Sequence, residues 1–108
     1  MVTRITEIQV KTEVPEIYEE IKAYITQKGE DYENWFVGVT ADVERSLFSE
    51  HRVYRYDDLW IFRKCLTNRA VENIKNSLLR LGCDGFLGGW VNSHNYVYAY
   101  RKTAHSKP

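Results

Sequence analysis

Six side chains in this sequence are of types that could ligate a metal ion. They are His51, His94, His105, Cys65, Cys83 and Asp84. The histidines and cysteines lack the close Cys-x-x-Cys or His-x-x-x-His spacing from which zinc sites are built. We therefore predict buried thiols and surface histidines, with no metal site and no cofactor. His51 is expected at a helix end, where it would contact the last carbonyl groups.

The glycine-rich segment 82–89 is of a kind that can hold a phosphate group with backbone amides. It lacks the Gly-Lys-Ser/Thr ending of a phosphate-binding loop, and it follows a predicted helix instead of preceding one. We interpret it as a turn that lets Phe86 and Trp90 enter the core. Cys83 would need a neighbouring base to act as a nucleophile, and the sequence identifies none.

Tyr96, Tyr98 and Tyr100 alternate along a predicted strand and project from one of its faces. A row of large, rigid rings can stack nucleobases or anchor a protein partner, because it offers much contact area for little loss of entropy. The other interpretation, which we favour, is that these rings pack in the core with their hydroxyl groups at the rim of the sheet.

The N-terminal part of the chain is predicted to contain a strand and a helix. Residues 4–12 are rich in β-branched residues and partly alternate, which is typical of an edge strand. After Pro15 the apolar residues recur on one face of a helix, and Gly29 is a stop signal. That face comprises Ile17, Tyr18, Ile21, Tyr24 and Ile25.

The middle of the chain continues with strands and a helix. Residues 34–40 form an apolar run that predicts a strand, and a helix ending near Glu50 should follow it. The two β-rich segments 52–56 and 59–66 are separated by Asp57-Asp58, and they form either a hairpin or one strand entered through an irregular loop. The second segment is the predicted core strand.

The clearest helix begins at Thr67 or Asn68 and ends at Gly82. Residues 96–100 then predict a half-buried strand, and a loose polar tail begins at about Lys102. The apolar face of the helix comprises Ala70, Val71, Ile74, Leu78 and Leu81. The whole pattern predicts an α/β (α+β) fold in which helices flank a small mixed sheet of three to five strands.

The segment 35–51 resembles the second half of the signature of the GIY-YIG nuclease family. In that family a strand ending in Tyr-Ile-Gly leads into a helix with an Asp-x-x-x-Arg-Leu pattern and a nearby histidine. Phe-Val-Gly at residues 36–38 matches the tripeptide, and residues 42–51 match the helix. The resemblance spans residues 34–83. It implies one domain over the full chain, with a strand and helix over 1–33, a GIY-YIG-like core over 34–101 and a flexible tail over 102–108.

The resemblance also implies which groups catalysis would need. The family uses tyrosines from two strand motifs, an arginine on the first helix and a metal-binding glutamate on a later helix. The metal polarises the phosphate, the arginine offsets developing charge, and a tyrosine helps to activate water. In this chain Phe36 stands at one tyrosine position, Ser46 at the arginine position and Lys75 at the glutamate position. A lysine would repel the metal ion.

Neighbouring residues could restore this chemistry in a different register. Arg45 lies next to the arginine position, Glu72 lies three positions from the glutamate position, and Tyr98 could replace the tyrosine of the first motif. A shift of one residue on a helix turns a side chain by about 100°. An enzyme built on these three groups would require Mg²⁺ or Mn²⁺.

The charges balance over the chain, since 15 basic residues face 15 acidic ones and the formal net charge is +0. Dedicated nucleic-acid binders usually carry a basic excess, so strong nonspecific binding is not expected. Residues 13–20 and 30–33 are acidic, whereas the middle of the chain is locally basic. This segregation suits a charged partner or self-association, and the alternative interpretation is a solvated surface of mixed charge. The basic residues are Arg52, Arg55, Arg63, Lys64 and Arg69.

The cellular location is predicted from what the sequence lacks. No apolar run is of signal-peptide or membrane-spanning type, and two cysteines are too few for a disulfide framework. We therefore expect a cytoplasmic protein without a membrane partner.

Three functions follow as hypotheses. The first is a catalytically inactive GIY-YIG-like binding or regulatory protein that contacts a protein or a nucleic acid. The second is a divalent-metal-dependent nuclease that uses Arg45, Glu72 and Tyr98. The third is a homodimeric structural protein with its N-terminal helix or an edge strand at the interface. For the first, the binding surface would be a remnant cleft formed by Phe36, Arg45, Ser46, Lys75 and Tyr98.

Overall fold

The structure, a computed structural model, describes residues 14–29, 31–86 and 95–108. The strand predicted at residues 4–12 lies outside the described residues, as do Trp90 and His94. In chain order the elements are helix α1 (Val14–Gln27), a 3-10 turn (Tyr32–Asn34), strand β1 (Trp35–Thr40), a π-helical segment (Arg45–Glu50), strand β2 (Trp60–Lys64), helix α2 (Asn68–Leu81) and strand β3 (Tyr96–Arg101).

The described strands form a three-stranded sheet in the order β1-β3-β2. β1 and β2 run in the same direction, and both pair with β3, which runs the opposite way. The sheet is therefore antiparallel, which corrects the predicted mixed sheet. Within the described part of the chain, parallel pairing is limited to an isolated bridge between Phe36 and Asp84 on the outer side of β1. The prediction of a small α+β fold is confirmed.

Both helices pack on one face of this sheet, as their apolar periodicity predicts. α1 buries Ile17, Ile21 and Ile25, which lie one turn apart. α2 contributes three buried residues to the same cluster, and the sheet contributes alternate residues of its strands. These are Val71, Ile74 and Leu78 from α2 and Val37, Ile61, Val97 and Ala99 from the sheet. No helix among the described residues is long and apolar enough to cross a membrane.

The predicted ends of the helices are confirmed. Gly29, just after α1, has a φ of 72°, and Gly82, at the end of α2, has a φ of 121°. Both values favour glycine, because other residues rarely adopt them. At its start, α2 is capped by Thr67, whose side-chain oxygen accepts a hydrogen bond from the Ala70 N–H at 3.0 Å.

The opposite face of the sheet carries a second core cluster, and neither of the described α-helices covers it. The cluster contains Phe36, Val43, Leu47, Val53, Tyr98 and Tyr100. The helix predicted after β1 does form, but residues 45–50 are wound as a π-helix, and the His51 N–H bonds to the Ser46 carbonyl at 2.9 Å. This wider turn is uncommon and frequently occurs at functional sites. The buried side chain of Leu47 packs this π-helical segment into the second cluster.

The β-rich segment 52–56 is a turn and not a strand. The Tyr54 N–H donates to the Asp58 carboxylate at 2.7 Å, and the Asp58 N–H donates to the Tyr54 carbonyl at 2.9 Å. These two hydrogen bonds close a local turn, in place of the inter-strand hydrogen bonds that a β-strand would make. The neighbouring prediction of a core strand within residues 59–66 is confirmed by β2.

The C-terminal segment differs from the expected loose tail. The Lys102 N–H donates to the Asn34 carbonyl at 2.8 Å, and the Lys107 N–H donates to the His51 carbonyl at 2.7 Å. His105 Nε2 lies 2.6 Å from the Asp58 carboxylate. The polar composition of this segment predicted a solvated tail. Its backbone N–H groups instead donate hydrogen bonds to carbonyl groups at the ends of other elements.

Candidate functional site

A cleft of about 430 Å³ lies between the end of β1, the π-helical segment and β3. Of the five residues predicted to form a binding surface, three line this cleft: Arg45, Ser46 and Tyr98. The other polar residues that line it are Thr40, Asp42, Glu50 and His51. The structure therefore assembles part of the predicted surface in one place.

Phe36 lies next to the cleft but within the core. Its side chain is 2% exposed, and its ring centroid lies 4.9 Å from that of His51 and 5.7 Å from that of Phe86. Phe36 thus packs beneath the residues that line the cleft, and it has no hydroxyl to contribute.

Lys75 is not brought to this cleft. It lies on α2, which packs on the face formed by Val97 and Ala99, whereas Tyr98 projects from the opposite face because side chains alternate along a strand. The Lys75 side chain is 3% exposed, and its Nζ lies 2.8 Å from the Glu72 carboxylate. The glutamate of the alternative nuclease site therefore lies on the far side of the sheet as well.

His51 forms the centre of a buried hydrogen-bond network. Its Nε2 lies 2.7 Å from the Tyr98 hydroxyl, and its Nδ1 lies 2.6 Å from the Lys107 carbonyl and 3.1 Å from the Tyr100 hydroxyl. A carbonyl oxygen only accepts, so Nδ1 of the neutral ring donates to Lys107 and Nε2 accepts from Tyr98. The sequence predicted that His51 would contact the last carbonyl groups of the helix. The backbone N–H of His51 makes this contact, with the Ser46 carbonyl, whereas the imidazole ring joins β3 to the C-terminal segment.

Ser46 fastens the π-helical segment to β1. Its Oγ donates to the Thr40 hydroxyl at 2.7 Å, and the same hydroxyl accepts from the Asp42 N–H at 3.0 Å. The Asp42 carboxylate in turn accepts from the Arg45 N–H at 3.1 Å, as an N-terminal helix cap does. Ser46 thus has a structural bond at the position where the family resemblance implies an arginine.

The charges that line the cleft are not those of a phosphate site. Among the described residues, Arg45 is the one lysine or arginine that lines the cleft. The Nε of Arg45 lies 3.3 Å from the Glu50 carboxylate. Asp42 adds a second carboxylate. Two negative groups against one positive group give a potential that repels an anion.

The acidities of the buried groups oppose nucleophilic or basic chemistry here. Burial raises the pKa of Tyr98 above its ordinary value, and Tyr100 and Glu50 raise it further. Burial also raises the pKa of the Cys65 thiol to about 11. Burial likewise raises the pKa of the Cys83 thiol to about 11, although the positive charge of Lys102 acts to lower it. The tyrosine therefore remains a hydrogen-bond donor, and the thiols remain protonated at neutral pH.

The structure shows where the row of tyrosines and the candidate metal ligands lie. Tyr98 and Tyr100 are buried in the second core cluster, as we favoured, while Tyr96 is half-buried at its margin. Within residues 14–29, 31–86 and 95–108, no group of three or more histidine, cysteine or acidic side chains is placed to hold a metal ion. The hydrogen bond between His51 and Tyr98 could not be predicted from the sequence, because it depends on how the strands pair.

Comparisons of the chain with protein family models, with curated proteins and with solved structures find no match.

Proposed function

We propose that this protein is a catalytically inactive binding or regulatory protein of GIY-YIG-like type, whose partner is a protein or a nucleic acid. One observation carries the proposal: the Tyr98 hydroxyl, which a nuclease would use to activate water, lies 2.7 Å from Nε2 of the buried His51 ring. A hydroxyl engaged in this way stabilises the fold, which favours a structural role for Tyr98 over a catalytic one.

The acidity of Tyr98 supports the same conclusion. To take a proton from water, the phenol must first lose its own, and burial raises its pKa and so opposes this loss. His51 accepts the Tyr98 proton in a hydrogen bond, but its other nitrogen is committed to the Lys107 carbonyl at 2.6 Å. The pair is arranged as a structural link between β3 and the C-terminal segment.

Of the other two groups of the nuclease alternative, Arg45 lines the same cleft as Tyr98, whereas Glu72 lies elsewhere. Arg45 is exposed and pairs with Glu50, whereas Glu72 pairs with Lys75 on the helix that covers the other face of the sheet. A metal-dependent phosphodiester cleavage needs its metal ligand and its charge-stabilising group around one phosphate. Their separation favours a binding role for the surfaces that stay open.

The test is cleavage of supercoiled plasmid and of short single- and double-stranded oligonucleotides in the presence of Mn²⁺. Glu72→Ala is the control against a contaminating nuclease, and its folding must be verified by circular dichroism. Glu19→Ala is the matched control, because it also removes the acid of a glutamate–lysine pair spaced i, i+3, here on α1.

We expect no metal-dependent cleavage by the wild-type protein. Cleavage that persists in Glu19→Ala and disappears in folded Glu72→Ala would overturn the proposal. It would show that the chain assembles a nuclease site around Glu72.

A further inference from the structure

Four aromatic rings form a continuous row on the part of the sheet that the π-helical segment and the other described residues leave uncovered. We call Phe48, Trp60, Phe62 and Tyr96 the aromatic row. Its neighbouring ring centroids are separated by 5.2 Å, 6.2 Å and 6.1 Å in that order. The planes of Trp60 and Phe62 are nearly parallel, with an angle of 7° between them. Phe62 is 38% exposed, and the other three are half-buried.

A cation lies at each end of the aromatic row. The Arg55 guanidinium lies 4.2 Å from the centroid of Phe48, and the Lys64 ammonium lies 5.8 Å from that of Tyr96. Arg55 also forms an ion pair with Glu44 at 3.5 Å. Both of these side chains are solvent-exposed, so the pair is weak and can exchange with another anion. The row therefore places aromatic rings between two positive charges.

The positions of these side chains are set by the backbone. Trp60, Phe62 and Lys64 lie on alternate positions of β2, and Phe62 and Lys64 face Tyr98 and Tyr96 across the strand pair. The indole N–H of Trp60 donates to the Arg55 carbonyl at 2.9 Å. This bond ties the turn that carries Arg55 to the edge of the row. The surface is thus formed in advance, and binding would cost little side-chain entropy.

The geometry points to single-stranded nucleic acid as the occupant: we propose that unpaired bases stack on the aromatic row and that the backbone phosphates meet Lys64 and Arg55. This inference rests on the proposed binding function and names the class of partner. Aromatic rings on the face of an antiparallel sheet suit unstacked bases, because every base has a flat face that can stack on a ring. A duplex keeps its bases stacked inside and cannot use the rings.

Charge favours this occupant over a protein. Residues 52–69 contain five basic and two acidic residues. Two of the basic residues pair with glutamates from outside this range, Arg63 with Glu20 at 2.6 Å and Arg55 with Glu44 at 3.5 Å, which leaves a local excess of one positive charge. The carboxylates of the cleft, Asp42 and Glu50, lie on the π-helical side and would keep phosphates away from it. The polyanion is therefore directed to the aromatic row and not into the cleft.

The experiment is fluorescence anisotropy of labelled oligo-dT and oligo-rU strands, and of a matched duplex, at low ionic strength and over a salt series. Phe62→Ala removes the most exposed ring of the row. Tyr56→Ala is the matched control, because Tyr56 is an aromatic residue with 92% exposure that lies outside the row. Lys64→Ala tests the phosphate contact. Circular dichroism verifies that each variant is folded.

We expect a single strand to bind more tightly than the duplex. Phe62→Ala should weaken that binding roughly 5- to 100-fold, which is the loss of one stacked base, and Tyr56→Ala should leave it unchanged. Lys64→Ala should lower the slope of log K against log salt by about 1. The relative affinity of the oligo-dT and oligo-rU strands distinguishes DNA from RNA.

Binding of neither strand at low salt, equal binding of the duplex, or equal binding by wild type and Phe62→Ala would overturn this inference. None of these results bears on cleavage. A chain that neither cleaves nor binds a single strand retains the proposed binding function and loses only its nucleic-acid partner. A chain that cleaves with Mn²⁺ through Glu72 loses the proposed function itself.

Discussion

Gly38 lies directly against the ring of Tyr98, its partner in the β1–β3 register. A Cβ atom at position 38 would lie 2.4 Å from the Tyr98 hydroxyl oxygen and 2.6 Å from Cζ. Real side chains do not approach this closely, so a larger residue would displace the ring. The glycine of the Phe-Val-Gly tripeptide is therefore required by the packing of Tyr98, which in turn holds His51.

Gly38→Ala should lower the free energy of unfolding by about 1–3 kcal/mol, because the new methyl group overpacks the site. Urea denaturation followed by circular dichroism measures the change. Tyr98→Leu removes the clashing hydroxyl and ring, so the cost of Gly38→Ala should shrink in that background. An equal cost in both backgrounds would contradict the proposed contact.

His51→Ala should lower the free energy of unfolding by about 2–4 kcal/mol. It removes the acceptor of the buried Tyr98 hydroxyl and the donor to the Lys107 carbonyl, and it leaves a cavity beside Phe36. Residues 102–108 should also become easier to trim with carboxypeptidase. Wild-type trimming rates in a folded His51→Ala variant would show that His51 does not anchor this segment.

Glu72→Ala should cost about 2–3 kcal/mol of folding stability, because it removes the carboxylate that lies 2.8 Å from an ammonium on a side chain of 3% exposure. Lys75→Met should be close to neutral, since it replaces the charge with an apolar chain of similar length. Adding Lys75→Met to Glu72→Ala should restore most of the loss. A double variant as unstable as Glu72→Ala alone would contradict this pairing. The double variant also gives a second, better-folded control for the cleavage assay.

Stability should fall as the pH rises from about 9 to about 11. The Cys65 and Cys83 thiols have an ordinary pKa of 9.0, which burial raises to about 11 in the folded protein. In this interval the unfolded chain has released protons that the folded chain keeps, so stability decreases with pH. Each thiol should contribute about 2 kcal/mol to this loss. The raised pKa values of Tyr98 and Tyr100 act in the same direction at higher pH.

Urea titrations at several pH values test the role of the thiols. The double variant Cys65→Ala/Cys83→Ala should lose less stability over the same interval, although its stability at neutral pH is lower. An unchanged slope in the double variant would assign the pH dependence to the tyrosines alone.

Local patterns in the sequence were sufficient to place the helices and the strands that the structure describes. The spacing of Ile17, Ile21 and Ile25 predicted α1, and Thr67 and Gly82 predicted the ends of α2. These predictions are confirmed because helix periodicity, capping and glycine conformation depend on residues within one or two turns of each other.

The cleft was predicted only in part. Arg45, Ser46 and Tyr98 lie together, but Phe36 packs beneath them and Lys75 lies on the other side of the sheet. Residues of one helix can be placed relative to each other from sequence spacing. The face of the sheet against which that helix packs is decided by connections that spacing does not encode.

The sequence by itself thus determined the helices and strands and their buried faces, and it supplied the family resemblance, which would require a tyrosine, an arginine and a glutamate where Phe36, Ser46 and Lys75 stand. Tertiary structure alone decided the strand order β1-β3-β2, the π-helical winding of residues 45–50 and the meeting of His51 with Tyr98 across 47 positions of sequence. The physical reason is that such contacts depend on strand register and chain reversal. Both are set by the free energy of the whole packed core and not by any local period.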